Sequence, residues 1–324
     1  MTYYSDKVFD LQRLFGIKDI EARQESIRVG EQVYDVIDDV IVALPPARRP
    51  SGAEPLGAGD DTFAPDIQRT FGREWETFPT ILPEHRREFD FYFDLLDLSD
   101  LSDALVCDLG CGIGRYSHFL APSCRRVVLV DFSDAIFVAR RNLASTDAIF
   151  VMADLTRLPF ADDCCDFAFS LGVLHHLPLD ALEAVRSLRR LSPRLLVYLY
   201  YALDNRPPHF RALLRLVSAV RVRTARIGNE RVRAALATLL AYVLYAPVLF
   251  AGRPMERLGL ARLVPLVDTY QGKSMARIRQ DAYDRFFTSI EQRVSRSQIE
   301  ELRTDFSTVK LSDGTPYWHF ECVR

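Results

Sequence analysis

Residues 104–131 read Ala104-Leu105-Val106-Cys107-Asp108-Leu109-Gly110-Cys111-Gly112-Ile113-Gly114-Arg115-Tyr116-Ser117-His118-Phe119-Leu120-Ala121-Pro122-Ser123-Cys124-Arg125-Arg126-Val127-Val128-Leu129-Val130-Asp131. The pattern is a buried strand, a glycine-rich turn, a helix, and a second strand closing on an acid, which is a nucleoside-binding βαβ unit. Gly110, Gly112 and Gly114 fall where a strand turns into a helix, so the backbone can take positive φ and approach a ligand with no Cβ in the way. Asp131 ends the next strand about twenty residues on, where an acid accepts hydrogen bonds from ribose hydroxyls.

The turn departs from the G-x-G-x-x-G of dinucleotide folds: its spacing is Asp108-x-Gly110-x-Gly112-x-Gly114. A pyrophosphate wants bare N–H groups with no fixed anion nearby. The Asp108 carboxylate would repel a phosphate and suits a ligand carrying an ammonium group, which argues against a dinucleotide oxidoreductase. At this point the chain resembles the class I S-adenosylmethionine-dependent methyltransferases, whose first motif reads D-x-G-x-G-x-G. The segment Phe150-Val151-Met152-Ala153-Asp154-Leu155 is similar to the family's third strand. By that resemblance Asp154 meets the adenine amino group and Leu155 offers its backbone N–H. The strand Cys165–Ser170 leads into Val173-Leu174-His175-His176-Leu177, similar to the V-L-H-H-L run of the ubiquinone/menaquinone-biosynthesis branch of small-molecule methyltransferases. The resemblance implies S-adenosylmethionine as cofactor, held by Asp108, Gly110, Cys111, Gly112, Gly114, Asp131, Phe132, Asp154, Leu155, Ser170 and Leu171.

The expected fold class is α/β: a Rossmann-like, seven-stranded methyltransferase sheet, mostly parallel, with an antiparallel C-terminal hairpin. In 1–44 three β-patterned runs (26–29, 32–37, 40–44) predict a small β-module that weakly resembles the zinc-ribbon-like modules preceding some methyltransferases. No cysteine occurs before Cys107, so no metal is expected. Residues 45–66 read as a linker rich in Pro, Gly and Ala. Phe71-Gly72-Arg73-Glu74-Trp75 then resembles an F-G-x-x-W segment that folds over the cofactor, which adds Arg73, facing the cofactor carboxylate, and Trp75 to the binding set. The core runs over 67–201 and resumes at 295–324 with a helix opened by a Ser297-x-x-Glu300 capping box and two strands around Asp313-Gly314.

Between them, 202–294 is a helical insertion. It carries Arg206, Arg211, Arg215, Arg221, Arg223, Arg226, Arg231 and Arg233 against only Asp204 and Glu230, then a charge-free run from Ala234 to Ala251. A basic helix followed by an apolar one fits a lid closing on the active site. It fits equally a monotopic element on an anionic membrane face, with contact through 206–251; a true span is the weakest of the three.

A formal net charge of −3 predicts no global attraction to nucleic acid, DNA included. Six cysteines without a C-x-x-C pair, and no signal-type h-region, predict a cytoplasmic enzyme with free thiols, membrane-associated if the insertion touches lipid. Cys107 and Cys111 are expected to pack, and Cys164-Cys165 to be incidental. Candidate proton acceptors are His175, Asp284 and Tyr270, with Tyr201, Asp204, Gln271 and Arg293 as further polar residues of the insertion. The expected reaction is C- or O-methylation of a small, hydrophobic acceptor. Two alternatives stay open: an RNA methyltransferase using the arginines of 206–233, and a non-catalytic S-adenosylmethionine-binding or scaffold protein. Ser170-Leu171-Gly172-Val173 stands where amino-methylating nucleic-acid enzymes carry N/D-P-P-Y, which disfavours the RNA reading. Homodimerisation is left open.

Overall fold

The computed structural model describes residues 2–50, 63–260, 263–270, 272–313 and 318–324. Its strands are β1 (Ile20–Ala22), β2 (Ser26–Val29), β3 (Gln32–Ile37), β4 (Val40–Val42), β5 (Leu105–Leu109), β6 (Arg126–Asp131), β7 (Ile149–Met152), β8 (Phe167–Leu171), β9 (Arg194–Leu199), β10 (Thr308–Leu311) and β11 (Trp318–Val323). They form one sheet in the order β1-β2-β3-β4-β7-β6-β5-β8-β9-β11-β10. From β7 to β10 this is the expected seven-stranded core: β7, β6, β5, β8 and β9 pair in parallel, while β11 lies antiparallel to β9 and β10. Every residue of β5, β7 and β8 is buried, which is why these strands read as unbroken apolar runs.

The chain order reverses at β5, with β6 on one side and β8 on the other. In open α/β sheets that switch point leaves a crevice at the strand tips, and ligands bind there. The tips of β5 and β6 carry Asp108 and Asp131.

The N-terminal strands join the central sheet. β4 pairs in parallel with β7, so the meander β1–β4 extends the central sheet, and its apolar residues Ile27, Val29, Val36 and Ile41 share the main core. An unexpected helix, α1 (Val8–Phe15), fastens this region: Arg13 clasps the carboxylate of Asp166 at 2.7 and 2.8 Å, and Asp10 accepts from Arg125 and Arg126 at 2.6 and 2.7 Å. A zinc-ribbon-like origin finds no support in residues 2–44, which hold neither cysteine nor histidine.

Residues 51–62 of the expected linker lie outside the described residues, as do Gln271, Gly314 and Tyr317. The end of the linker is helical, because α2 (Pro65–Thr77) begins with proline at N1, whose missing N–H costs nothing there. Next come α3 (Glu84–Tyr92), α4 (Arg115–Leu120), α5 (Ala135–Asn142) and α6 (Ala181–Leu188) around the sheet. The insertion contributes α7 (Pro208–Thr224), α8 (Glu230–Leu240), α9 (Ala246–Arg257), α10 (Val267–Tyr270) and α11 (Met275–Phe287), with a π-helical turn, Ala241–Tyr245, joining α8 to α9. Last is α12 (Arg296–Glu300). Its capping box is Ser295 with Gln298, two residues before the expected Ser297 and Glu300, and Asp204 adds a cap by accepting from the Arg296 N–H at 2.8 Å.

Part of the arginine run is spent inside the protein. Arg221 donates to the carbonyls of Thr288 and Ser289 at 2.8 and 3.0 Å, and Arg233 to those of Ile227 and Ala225. Lys273 and Arg277 bind Glu88 of α3 at 2.8 and 3.0 Å, which holds α11 against the core. Arg231–Gly252 is long and apolar enough to cross a membrane by length and composition, and 17% of its most apolar window is buried. One face, with Ala237, Ala241 and Tyr245, packs on Tyr270 and Tyr283; the other leaves Leu239, Tyr242, Val243 and Phe250 exposed.

Candidate active site

A cleft of ≈ 780 Å³ opens at the tips of β5, β6, β7 and β8. Its walls include Asp108, Gly110, Cys111, Gly112, Asp131, Phe132, Asp154, Leu155, Leu171 and Trp75, so ten of the thirteen residues expected to bind the cofactor meet in one place. The other three stand elsewhere. Gly114, at φ +73°, is the N-cap of α4 and presses on Leu143. Ser170 is fully buried and donates to the Leu109 carbonyl at 2.8 Å, bracing β8 against β5. Arg73 is exposed on the outer side of α2.

The glycines are required by contact as well as by φ. Gly110 has φ +84°, and a Cβ on it would lie 2.5 Å from Val173; at Gly112 a Cβ would meet the Trp75 ring at 3.1 Å. Trp75 rests on the turn because α2 lies across the cleft. Gln68 donates to the Phe132 carbonyl at 2.5 Å and the Arg48 carbonyl at 2.9 Å.

Asp131 accepts from the Gly112 N–H at 2.9 Å through one oxygen and from Ser133 N–H and Oγ at 2.9 and 2.7 Å through the other. Burial raises its pKa, opposed by these bonds. Asp154 accepts from Thr156 N–H and Oγ1 at 2.9 and 2.8 Å and pairs with Arg48 at 3.3 Å. Asp108 has Ser117 Oγ as its donor, at 2.6 Å. Burial, with Asp131 adding to it, pushes the Asp108 carboxyl up to about 7. Arg115 acts on Asp108 from a distance, and no cation among the described residues is in salt-bridge contact with it, a place that a ligand ammonium group can take. The donor set, the glycine cradle and this buried acid all fit S-adenosylmethionine.

Beyond the cleft lies a polar antechamber of ≈ 1390 Å³. The two spaces share Phe71, Trp75, Arg115, Tyr116, Leu171 and Gly172. Asp284 and Tyr270 line the antechamber, as expected of acceptor-side residues. Asp284 is hydrogen-bonded to the Tyr200 hydroxyl and accepts from Thr288 Oγ1 at 3.0 Å. The expected His175 lines neither space. Its ring stacks on Tyr200 with centroids 3.9 Å apart, its Nδ1 accepts from the Tyr200 N–H at 3.3 Å, and burial holds its pKa well below the usual histidine value. Its neighbour His176 faces the cleft instead, since the two occupy successive positions of one 3₁₀ turn. Nδ1 of His176 is 2.7 Å from the Ile290 carbonyl. A carbonyl only accepts, so Nδ1 carries the hydrogen, and Nε2 of the neutral ring keeps a lone pair 3.8 Å from Asp284. Of the remaining polar candidates, Tyr201 and Arg293 line a further cavity, described below.

Two residues were not expected at the site. Glu74 is 1% exposed and lines the antechamber, and its Oε2 has no hydrogen-bond partner. Burial first, then the nearby Asp284, raises its pKa well above the carboxylate range. Its signal was present: Phe71, Glu74, Trp75 and Phe78 occupy i, i+3, i+4 and i+7, so an acid stands within an apolar helical stripe. Arg115 lines both cleft and antechamber, sandwiched by the rings of Trp75 and Tyr116 at 5.2 and 4.8 Å, with Nη1 unpartnered. It occupies the place for an anionic group that the sequence suggested for Arg73.

The three thiols of Cys107, Cys164 and Cys165 lie within 4.8 Å of one another in the core, and both Cys164 and Cys165 contact the Leu191 carbonyl.

Residues 107–193 match the model of the methyltransferase domain family. Among curated proteins, the chain is 48% identical over 63 residues to a demethylmenaquinone methyltransferase of Clavibacter sepedonicus, covering 19% of this chain and 26% of that one. It is 32% identical over 95 residues to a tRNA U34 carboxymethyltransferase of Aliarcobacter butzleri (28% and 31% covered). It is 29% identical over 110 residues to a malonyl-[acyl-carrier protein] O-methyltransferase of Pectobacterium atrosepticum (34% and 35% covered). The chain thus spans about a quarter to a third of the length of the curated relatives it matches. With the cleft at the switch point, its glycine turn and its acids, these matches identify the core as a class I S-adenosylmethionine-dependent methyltransferase domain.

Proposed function

We propose that the protein transfers a methyl group from S-adenosylmethionine to a small, hydrophobic acceptor held between the cofactor cleft and the insertion, by C- or O-methylation. The observation that carries this reading is the shared wall of cleft and antechamber, with the partnerless Glu74 Oε2 and His176 Nε2 beside it. When bound, the cofactor supplies a methyl already activated on a sulfonium, so the protein's part is orientation, a dry site and proton handling. Asp131 and Asp154 hold the nucleoside, Asp108 the ammonium group and Arg115 the carboxylate. Trp75 and Phe71, on α2, cover the cleft and exclude water. Glu74 takes the proton of an acidic hydroxyl or carbon: burial raises its pKa and so makes its carboxylate a stronger base than a free one. His176 Nε2, in the wall of the cleft, is the second acceptor.

A hydrophobic acceptor is supported by the face that the Ala234–Ala251 run turns inward, where Leu244, Tyr245, Val248 and Ala251 line a cavity. A cytoplasmic location and contact of 206–251 with a membrane surface accompany the proposal. The exposed Leu239, Val243 and Phe250, with Arg211, Arg215, Arg223 and Arg231 nearby in sequence, support the contact.

The test is titration with S-adenosylhomocysteine, followed by transfer of radiolabelled methyl to fractionated metabolite and lipid extracts, with Asp131→Ala as control. Binding together with label in an organic-extractable product is expected. Label in RNA instead, or binding without transfer to any fraction, overturns the reading.

A further inference from the structure

The antechamber has an apolar neighbour. Behind Tyr198, Tyr200, Thr269 and Tyr270 it adjoins a third space of ≈ 1350 Å³, lined by Leu203, Phe210, Leu214, Val217, Leu244 and Val248 among others. Those apolar residues come from the β9–α7 connection, α7 and the α8–α9 helix, so the insertion builds the space. A large apolar chamber that shares a wall with a polar one is the shape of a site for a molecule with two unlike ends.

The charges at the junction choose between head groups. In the antechamber wall, Glu88 and Asp281 are engaged by Arg277, Asp284 by Tyr200 and Thr288, and Glu84 by Ser274 at 2.7 Å. Five basic side chains (Arg87, Arg115, Lys273, Arg277, Arg285) and five acidic ones (Glu74, Glu84, Glu88, Asp281, Asp284) line it, so the placement of each base, not a net excess, decides which head group fits. Arg285 stands in the walls of both the antechamber and the apolar chamber. Its Nε is buried with no hydrogen-bond partner, while its side chain keeps partial accessible area. A guanidinium so placed, with no carboxylate in salt-bridge contact among the described residues, is complementary to an anion at the mouth of the apolar chamber.

We propose that the acceptor is a single-chain acidic amphiphile: its apolar tail lies in the chamber of the insertion, and its anionic head is held by Arg285 in the antechamber, facing the cofactor cleft. The assignment of head to cleft rests on the methyltransferase reading, whereas binding of the amphiphile does not require turnover.

The experiment measures binding of octanoate, decanoate, dodecanoate, dodecanol and dodecyltrimethylammonium below their micellar concentrations, with and without S-adenosylhomocysteine. Affinity is expected to rise about threefold to fourfold per added methylene until the chamber is filled. Dodecanoate is expected to bind about tenfold or more tighter than dodecyltrimethylammonium. Val248→Trp or Leu214→Trp, each filling the chamber, should flatten the chain-length series while leaving S-adenosylhomocysteine binding within twofold, which also reports that the variant is folded. Arg285→Gln should bring dodecanoate down to dodecanol. Equal binding of the cationic and anionic probes overturns the head assignment, and a flat series in the unaltered protein overturns the tail assignment. Failure of S-adenosylhomocysteine to bind, with the series intact, overturns the methyltransferase reading alone.

Discussion

The strand-tip cleft and the chamber of the insertion lie on either side of the antechamber and are made in opposite ways. The cleft is a backbone device: glycines at φ +84° and +54°, strand ends and a few short-range acids, with its parts fixed by a rigid parallel sheet. The chamber is a side-chain device, assembled from helices that meet only after folding and whose outer faces remain apolar in solvent. The difference separates a conserved kind of chemistry from its specificity: a sheet can present one ligand geometry, while packed helices can be refitted to many acceptors.

The sharpest way to break this comparison is Asp131→Ala. It removes the carboxylate proposed to hold the ribose and the tie to Gly112, and should weaken S-adenosylhomocysteine on the order of 10³-fold by calorimetry. Amphiphile binding should stay unchanged, and a parallel loss would mean that cleft and chamber are one cooperative unit. Next in size, Glu74→Gln should lower kcat about 10²-fold with S-adenosylhomocysteine affinity within twofold. Unaltered turnover would leave proton transfer to His176.

A third prediction follows from Asp108, whose carboxyl is pushed up to about 7 in the folded protein. A cationic ligand binds the ionised form, so S-adenosylhomocysteine affinity should rise with pH up to about tenfold per unit below pH ~7 and level off above it. The stability sign is opposite. A raised carboxyl pKa favours the folded state while the group is protonated, so in the ligand-free protein this contribution is present below the ordinary carboxylate range and is lost as pH rises towards ~7. The rise in Tm on ligand binding should therefore grow between pH 6 and 8, and Asp108→Asn should abolish the dependence. The smallest effect is expected on the outer face of the insertion: Val243→Ser, at an exposed position, should change unfolding free energy by no more than about 0.5 kcal/mol. A larger loss would show that this face is covered.

Legibility tracked sequence separation. Asp108, the glycines and Asp131 lie within 24 positions, and their strands are fully buried, so apolar runs and turn residues announced them. Asp154 and Leu155 came from the resemblance of 150–155 to the family's third strand. The misses arose where direction or distant partners decide. His175 and His176 are adjacent letters, but a 3₁₀ turn sends one into the core and the other to the cleft. Arg73 and Glu74 are adjacent as well; helical spacing puts the acid in the apolar stripe and the arginine outside it, and the docking of α2 turns that stripe inward. Residues 1–44 read as a module because β1–β4 form a local meander; the β4–β7 pairing that absorbs them spans more than a hundred residues.

By itself the sequence determined the cofactor half of this protein: local backbone requirements, such as positive φ, a buried strand and an acid at its tip, are written in consecutive residues. Tertiary structure alone decided the acceptor half. The partnerless oxygen of Glu74, the stacked guanidinium of Arg115, and Arg285 at the mouth of an apolar chamber have meaning only in relation to groups brought close by helix packing. The polarity of a site is the sum of what surrounds it, and that sum exists only once the chain has folded.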